Sequence, residues 1–193
     1  VAHYYTPAGR CIQKPYRKGE PEEYALDFEK RLKHGELTNR DSIHFNDSLR
    51  YYTLREHRTV YGGGGIMPDV FVPLDTLQYT NYHRKLAAKN IIINASLKYI
   101  DNERKSLKRK YGSFEQFESS FEVSQQMIDG IVAEGEKQGI KPKDDDELKR
   151  TLKVLRIQLK GLVARDLWDM NEYFRIVNEN SDIIKEGLKT LGL

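Results

Sequence analysis

The sequence predicts an α+β chain, with a short β-rich segment in front and a helical domain behind. Three observations carry this. His3 to Gln13 and Tyr61 to Pro73 each read as a short strand meeting a tight turn. Between them, residues 14–61 have the look of an insertion, with a helix signal and two weaker strand signals of its own. From Leu86 onward almost every apolar residue recurs with helical period. The expected division is therefore 1–78, with the insertion at 14–61, and 79–193 as the helical C-terminal domain.

In the first half of the front segment, Thr6-Pro7-Ala8-Gly9 places proline second and glycine fourth, as a β-turn favours. Cys11-Ile12-Gln13 continues as a second short strand. In the insertion, Lys14 to Gly19 is a basic loop. Pro21 then stands where a first helical residue belongs, with Glu22 and Glu23 in the first turn. Tyr24, Phe28 and Leu32 recur every four residues and Gly35 is a natural stop, so an amphipathic helix is expected. Leu49 to Leu54 and Arg58 to Tyr61 are expected as strands. Gly62 to Gly65 then leads through the Pro68-Asp69 turn into Val70-Phe71-Val72, a β-branched and aromatic run expected as a strand.

Residues 74–83 are polar and turn-like. Beyond them, Leu86, Ile93, Leu97, Ile100, Leu107 and Tyr111 fall on one face of a single long helix. Ser113 with Gln116 makes a capping-box pattern ahead of Phe114, Phe117 and Phe121. Ser124 is placed to cap a helix carrying Met127, Ile128, Ile131 and Val132, ending near Gly139. Asp144 to Asp146 suit the next helix N-terminus. Leu152, Leu155, Leu159 and Leu162 form one ladder, and Val163, Leu167, Met170, Phe174 and Val177 another. The slip between them falls near Gly161, where a close helix crossing or a bend is expected. Ser181 is placed to cap a last short helix bearing Ile183, Ile184, Leu188 and Leu191.

Composition narrows the function classes. The chain has 193 residues, of which 38% are hydrophobic and 32% charged, so a folded protein with a real core is expected. A net charge of +3 is too small to argue for a nucleic-acid partner. Runs such as Ile91-Ile92-Ile93 are far shorter than the roughly 20 residues of a membrane span. Cys11 is the only cysteine, which excludes an intrachain disulfide and a cysteine zinc site. A start at Val1, leading straight into a strand, points to a fragment of a longer chain.

Direct tests for chemistry return little. The four glycines precede a strand rather than a helix N-terminus, so they do not make a phosphate loop. His3, His34, His44, His57 and His83 lack metal-site spacing. No Gly-x-Ser-x-Gly elbow occurs and no serine has lysine three residues on. Asp144 to Glu147 lacks the alternation and glycine of a calcium loop. The expectation is accordingly no catalytic residue, no cofactor-binding residue, no metal ligand and no cofactor in this chain.

The two half-motifs carry a resemblance. Tyr4-Tyr5-Thr6-Pro7-Ala8-Gly9-Arg10-Cys11-Ile12-Gln13, followed by Gly65-Ile66-Met67-Pro68-Asp69-Val70, resembles the signature of the carboxyl-terminal processing peptidases, or tail-specific proteases. Ala8 and Cys11 stand where that family usually has serine. The insertion, with Tyr51-Tyr52 and Tyr61 to Gly64, looks like that of Bacteroidetes-type members, as does Ala164 to Phe174. The resemblance implies a crotonase-like protease core and a serine nucleophile activated by a lysine base, both upstream of Val1. Ser42 and Ser48 match no catalytic position.

On this reading the chain is the non-catalytic C-terminal portion of a serine-type endopeptidase, inactive alone. Its parent would be exported to the periplasm or cell envelope, act on protein substrates, and be capable of membrane association and homo-oligomer formation. A second reading, from another class, is a non-enzymatic helical interaction or dimerisation module, motivated by Trp168, Tyr173 and Phe174. A third expectation is physical: residues 1–13 should pair with the insertion strands or with a second copy, to cover an exposed strand edge.

Overall fold

The computed structural model describes residues 3–14, 19, 22, 25–75 and 78–193 and is α+β, mostly helical. Two compact units divide it, Val1–Asp75 and Thr76–Leu193.

The first unit is built on backbone pairing. Thr6-Pro7-Ala8-Gly9 closes as a turn, with the Gly9 N–H donating to the Thr6 carbonyl at 2.8 Å and the Thr6 N–H to that of Arg10 at 2.9 Å. The flanking strands reduce to one antiparallel bridge, Tyr5 to Cys11. Helix α1 covers Asp27–Lys33. Two 3-10 turns follow, Arg40–Ser42 and Asp47–Leu49, each opened by an asparagine (Asn39, Asn46) whose side chain accepts a backbone N–H two residues on. Strands β1 (Arg50–Tyr52) and β2 (Thr59–Tyr61) pair antiparallel, Arg50 opposite Tyr61 and Tyr52 opposite Thr59.

The amphipathic helix expected ahead of Gly35 forms as α1, whereas the strand expected over residues 70–72 does not. The predicted helix start at Pro21, with Glu23 and Tyr24, lies outside the described residues, and α1 buries nothing: Phe28 is 63% exposed. Amphipathic spacing creates an apolar face, but covering that face needs an opposing surface. Val70-Phe71-Val72 forms no strand; Val70 lies in a bend. Pro68 and Pro73 bracket the run and remove backbone donors at both ends, so it cannot extend a ladder. Among the described residues of the first unit, none is fully buried.

The core lies in the second unit, between Thr80 and Ile176. Its helices are α2 (Asn81–Ala88), α3 (Ile91–Lys110), α4 (Phe114–Ser120), α5 (Gln125–Lys137), α6 (Asp145–Leu167), α7 (Met170–Asn178) and α8 (Asp182–Thr190). The central α6 packs against α7, α3 and α2, while α3 also packs against α5 and α2. Side-chain oxygens of Thr80, Ser113, Ser124, Asp144 and Ser181 cap five of these N-termini, satisfying backbone donors that the helix leaves free.

The single long helix expected over Leu86 to Tyr111 is two. Asn90 adopts the left-handed conformation, φ +57°, between α2 and α3, a conformation asparagine tolerates better than most residues. The second ladder is also interrupted. Asp169 and Glu172 form a reciprocal capping box that starts a new helix at Met170. Met170 and Phe174 are about half exposed, and Ile176 is buried instead. Gly161 does mark a close crossing: an added Cβ would stand 3.0 Å from Tyr173 Cδ2 and 3.1 Å from Val177 Cγ1, both on α7.

Candidate functional site

The two halves of the signature meet in the first unit. The Gly63 N–H donates to the Cys11 carbonyl and the Gly65 N–H to the Ile12 carbonyl, each at 2.9 Å. The Gly62 N–H donates to Leu49 on the other side, also at 2.9 Å. The glycine run is therefore a shared seam, joined to the first half-motif on one edge and to the insertion on the other. Gly62 is constrained by closeness: a Cβ there would lie 2.9 Å from the Cys11 carbonyl oxygen and 3.2 Å from the Tyr51 ring. Arg10 reaches over the seam to the Tyr61 carbonyl at 3.4 Å, and Phe45 stacks on the Tyr61 ring at 4.4 Å.

The pairing differs from the expected one, since the partner is not an insertion strand. Residues 11 and 12 bond to the chain just past the insertion, while Tyr4 and Tyr5 remain 70% and 65% exposed. A shallow cleft of about 390 Å³ lies between the Thr6–Arg10 turn and the β1–β2 connection, walled by Pro7, Ala8, Leu54 and Val60. Arg58, on its rim, is held by Asp69 at 2.7 Å and by Glu56 at 3.1 Å.

The second unit carries a partly buried polar cluster that the sequence did not announce, with Thr80, His83 and Thr151 buried and Glu147 and Gln158 half-buried. Glu147 accepts the Lys143 N–H at 2.7 Å and the Tyr82 N–H at 3.1 Å. Those two backbone bonds, that of Lys143 first, hold its carboxyl below the ordinary glutamate range. Thr80 and Thr151 hydroxyls meet at 2.6 Å, and the Thr151 hydroxyl also donates to the Glu147 carbonyl. The His83 ring lies 2.8 Å from Gln158 Oε1 and is 5% exposed. The only early signal was polar residues at core-facing positions of α2 and α6. These contacts fasten α2 to α6, a structural task.

Reactive groups are not brought together. Ser48 Oγ donates to Asn46 Oδ1 at 2.8 Å, and His44 Nδ1 lies 2.9 Å from the backbone carbonyl of Ser42, not from its hydroxyl. Among the described residues, no hydrogen bond joins a serine hydroxyl to a lysine or histidine side chain, and no three His, Cys, Asp or Glu residues stand together as metal ligands. No helix among them is long and apolar enough to cross a membrane. The aromatics that motivated an interface divide. Trp168 packs on Phe114 and Phe117, with ring centroids 5.7 and 5.3 Å away, and Tyr173 lies against Gly161. Phe174 is 50% exposed.

Residues 82–169, rather less than half of the chain, match a family of unknown function (DUF8443). No curated protein and no solved structure matches.

Proposed function

We propose that this chain is the non-catalytic C-terminal portion of a serine-type endopeptidase that processes protein C-termini, supporting the protease core and contributing to assembly. The observation that carries the reading is the joining of the two half-signatures. Cys11 and Ile12 of the first accept hydrogen bonds from Gly63 and Gly65 of the second, although residues 14–61 intervene in sequence. A signature divided by an insertion needs its halves side by side if both belong to one sheet.

The absence of any fully buried described residue in the first unit supports the same reading. Short strands normally earn stability by covering one face, and this unit has pairing without a core. A larger crotonase-like sheet would supply the missing face. The nucleophile and its lysine base would stand on that larger part, in an enzyme exported to the periplasm or cell envelope.

The test is enzymatic. The 193-residue chain, incubated with an unfolded protein, should release no peptide. The natural gene should encode a serine and a lysine ahead of the Tyr-Tyr-Thr-Pro motif, and the whole product should cleave the same substrate until that serine is replaced by alanine. Turnover by the 193-residue chain that survives repeated purification would overturn the proposal.

A further inference from the structure

Charge is unevenly spread along the second unit. Residues 84–110 hold nine lysines and arginines against two acids, whereas residues 111–147 hold three against ten. The modest net charge of +3 for the whole chain conceals this division. Asymmetry of this size between neighbouring segments is a signal for an anionic partner. The basic share is concentrated on α3, where Lys98, Arg104, Lys105, Lys108, Arg109 and Lys110 are set against only Asp101 and Glu103.

The fold turns those cations outward. Ile100 and Leu107 lie in the core, and at about 100° per residue Lys98, Lys105, Lys108 and Arg109 fall roughly 100–200° away from Leu107. All four are exposed, in a row roughly 17 Å long at about 1.5 Å per residue. Asp101 is the one acid on that side of the helix. Exposed cations on other helices pair with acids of their own helix, Lys137 with Glu134, Arg150 with Asp146 and Lys185 with Asp182. On α3 no lysine or arginine has an acid partner among the described residues. Arg104 donates to the Asp166 backbone carbonyl at 2.6 Å, Arg109 to the Lys105 carbonyl at 3.3 Å, and the Lys110 ammonium lies 5.1 Å from the Tyr111 ring centre. The helix dipole favours cations in the last turn, at Lys108 to Lys110, but its influence fades beyond that turn. Lys98, Arg104 and Lys105 stand further up the helix.

We infer that this outer face of α3 binds the surface of a bilayer rich in anionic lipid headgroups. The negative potential of such a surface attracts each lysine and arginine that comes within a Debye length of it. Leu97, 42% exposed on the same side, can enter the headgroup layer. The rest of the apolar side of α3 is in the core, so binding is mainly electrostatic, reversible and salt-sensitive. A flat anionic surface suits the row better than a nucleic acid does. No aromatic residue stands among Leu97, Lys98, Asp101, Asn102, Lys105, Lys108 and Arg109 to stack on bases. A nucleic-acid groove would also enclose α3 on both flanks and bring the acids of α5, packed beside it, against phosphates. A plane meets the outer side only. This inference stands apart from the peptidase reading, since α3 needs no upstream residue.

Co-sedimentation of the 193-residue chain with lipid vesicles tests it. Vesicles of phosphatidylglycerol and phosphatidylcholine in equal parts should carry the chain down at low salt and release it as salt is raised. Vesicles of phosphatidylcholine alone should not bind it. Lys105→Gln, Lys108→Gln and Arg109→Gln combined should weaken binding at least about tenfold, since each cation near the surface is worth about fivefold. A control removes the same charge from exposed lysines in and just ahead of α6, Lys141→Gln, Lys149→Gln and Lys153→Gln, and should bind within about threefold of the wild type. Circular dichroism checks that both triple variants are folded, as expected for substitutions at exposed positions. A wild-type chain that ignores the anionic vesicles overturns the inference, as does equal binding to phosphatidylcholine. Equal weakening of the two triple variants overturns it too, because binding then follows net charge rather than α3. So does tighter binding to a DNA duplex or a single-stranded RNA than to the vesicles, which assigns the face to nucleic acid. None of these outcomes bears on whether the whole enzyme cleaves peptides.

Discussion

Glu147 is a residue whose charge state bears on the packing of the second unit. Its carboxylate accepts two backbone N–H groups, from Lys143 and Tyr82, and thereby ties α2 to the start of α6. Because its folded pKa lies below the ordinary value near 4.5, folding favours the ionised form. The resulting stability is fully present above that ordinary value and is lost as pH falls through the lower, folded one. Acid titration followed by circular dichroism should show the second unit weakening below about pH 4.5. Glu147→Gln should lower Tm by roughly 2–4 °C at pH 7 and flatten that acid dependence. An unchanged acid limb in the variant would assign the dependence to other carboxylates. At the same scale, Thr151→Val leaves the Thr80 hydroxyl without its 2.6 Å partner in a buried position and should cost about 1–3 kcal/mol in urea unfolding.

At the scale of the element, two glycines in long helices predict changes of opposite sign. Gly161→Ala on α6 pushes a methyl into Tyr173 and Val177 at the α7 crossing. It should destabilise by about 1 kcal/mol, because the overpacking strain of about 1–3 kcal/mol outweighs the gain in helix propensity. Gly130→Ala on α5 meets nothing and should stabilise by up to about 1 kcal/mol. Chemical denaturation of the two variants side by side checks both signs. Most elements were legible because their signals are local: Ser124, Asp144 and Ser181 cap the helices that their positions implied. The slip near Gly161 was legible too, as a break in an apolar ladder. The interruptions at Asn90 and Asp169 were not. Each changes the backbone direction without breaking apolar spacing, and a periodic pattern alone does not register a single left-handed residue or a capping box formed mid-ladder. Ser113 shows a finer limit. Its side chain caps α4 as expected, but Gln116 Oε1 accepts the Gly112 N–H instead of that of Ser113.

At the scale of the whole molecule, stability should be unevenly distributed. Every fully buried described residue lies in the second unit, while the first is held by turns, short pairings and exposed ion pairs. Native-state hydrogen exchange should find the slowest amides in α3 and α6 and much faster exchange throughout β1, β2 and the 62–65 seam. Equal protection across the two units would contradict this account. The sequence by itself determined many of the elements: the turn at Thr6–Gly9, the β1 and β2 strands, the helices capped by Ser113, Ser124, Asp144 and Ser181, and the apolar positions available for a core. Those depend on φ/ψ preference, neighbouring hydrogen bonds and spacing along the chain. Only tertiary structure decided which apolar faces are covered. The stripe of α6 is buried, while those of α1 and α8 are open, though the same periodicity marks all three. Periodicity places side chains on one side of a helix, but burial requires an opposing surface from distant parts of the chain. The pairing of Cys11 and Ile12 with Gly63 and Gly65 was settled in the same way, by backbone groups that meet only once the chain between them has folded.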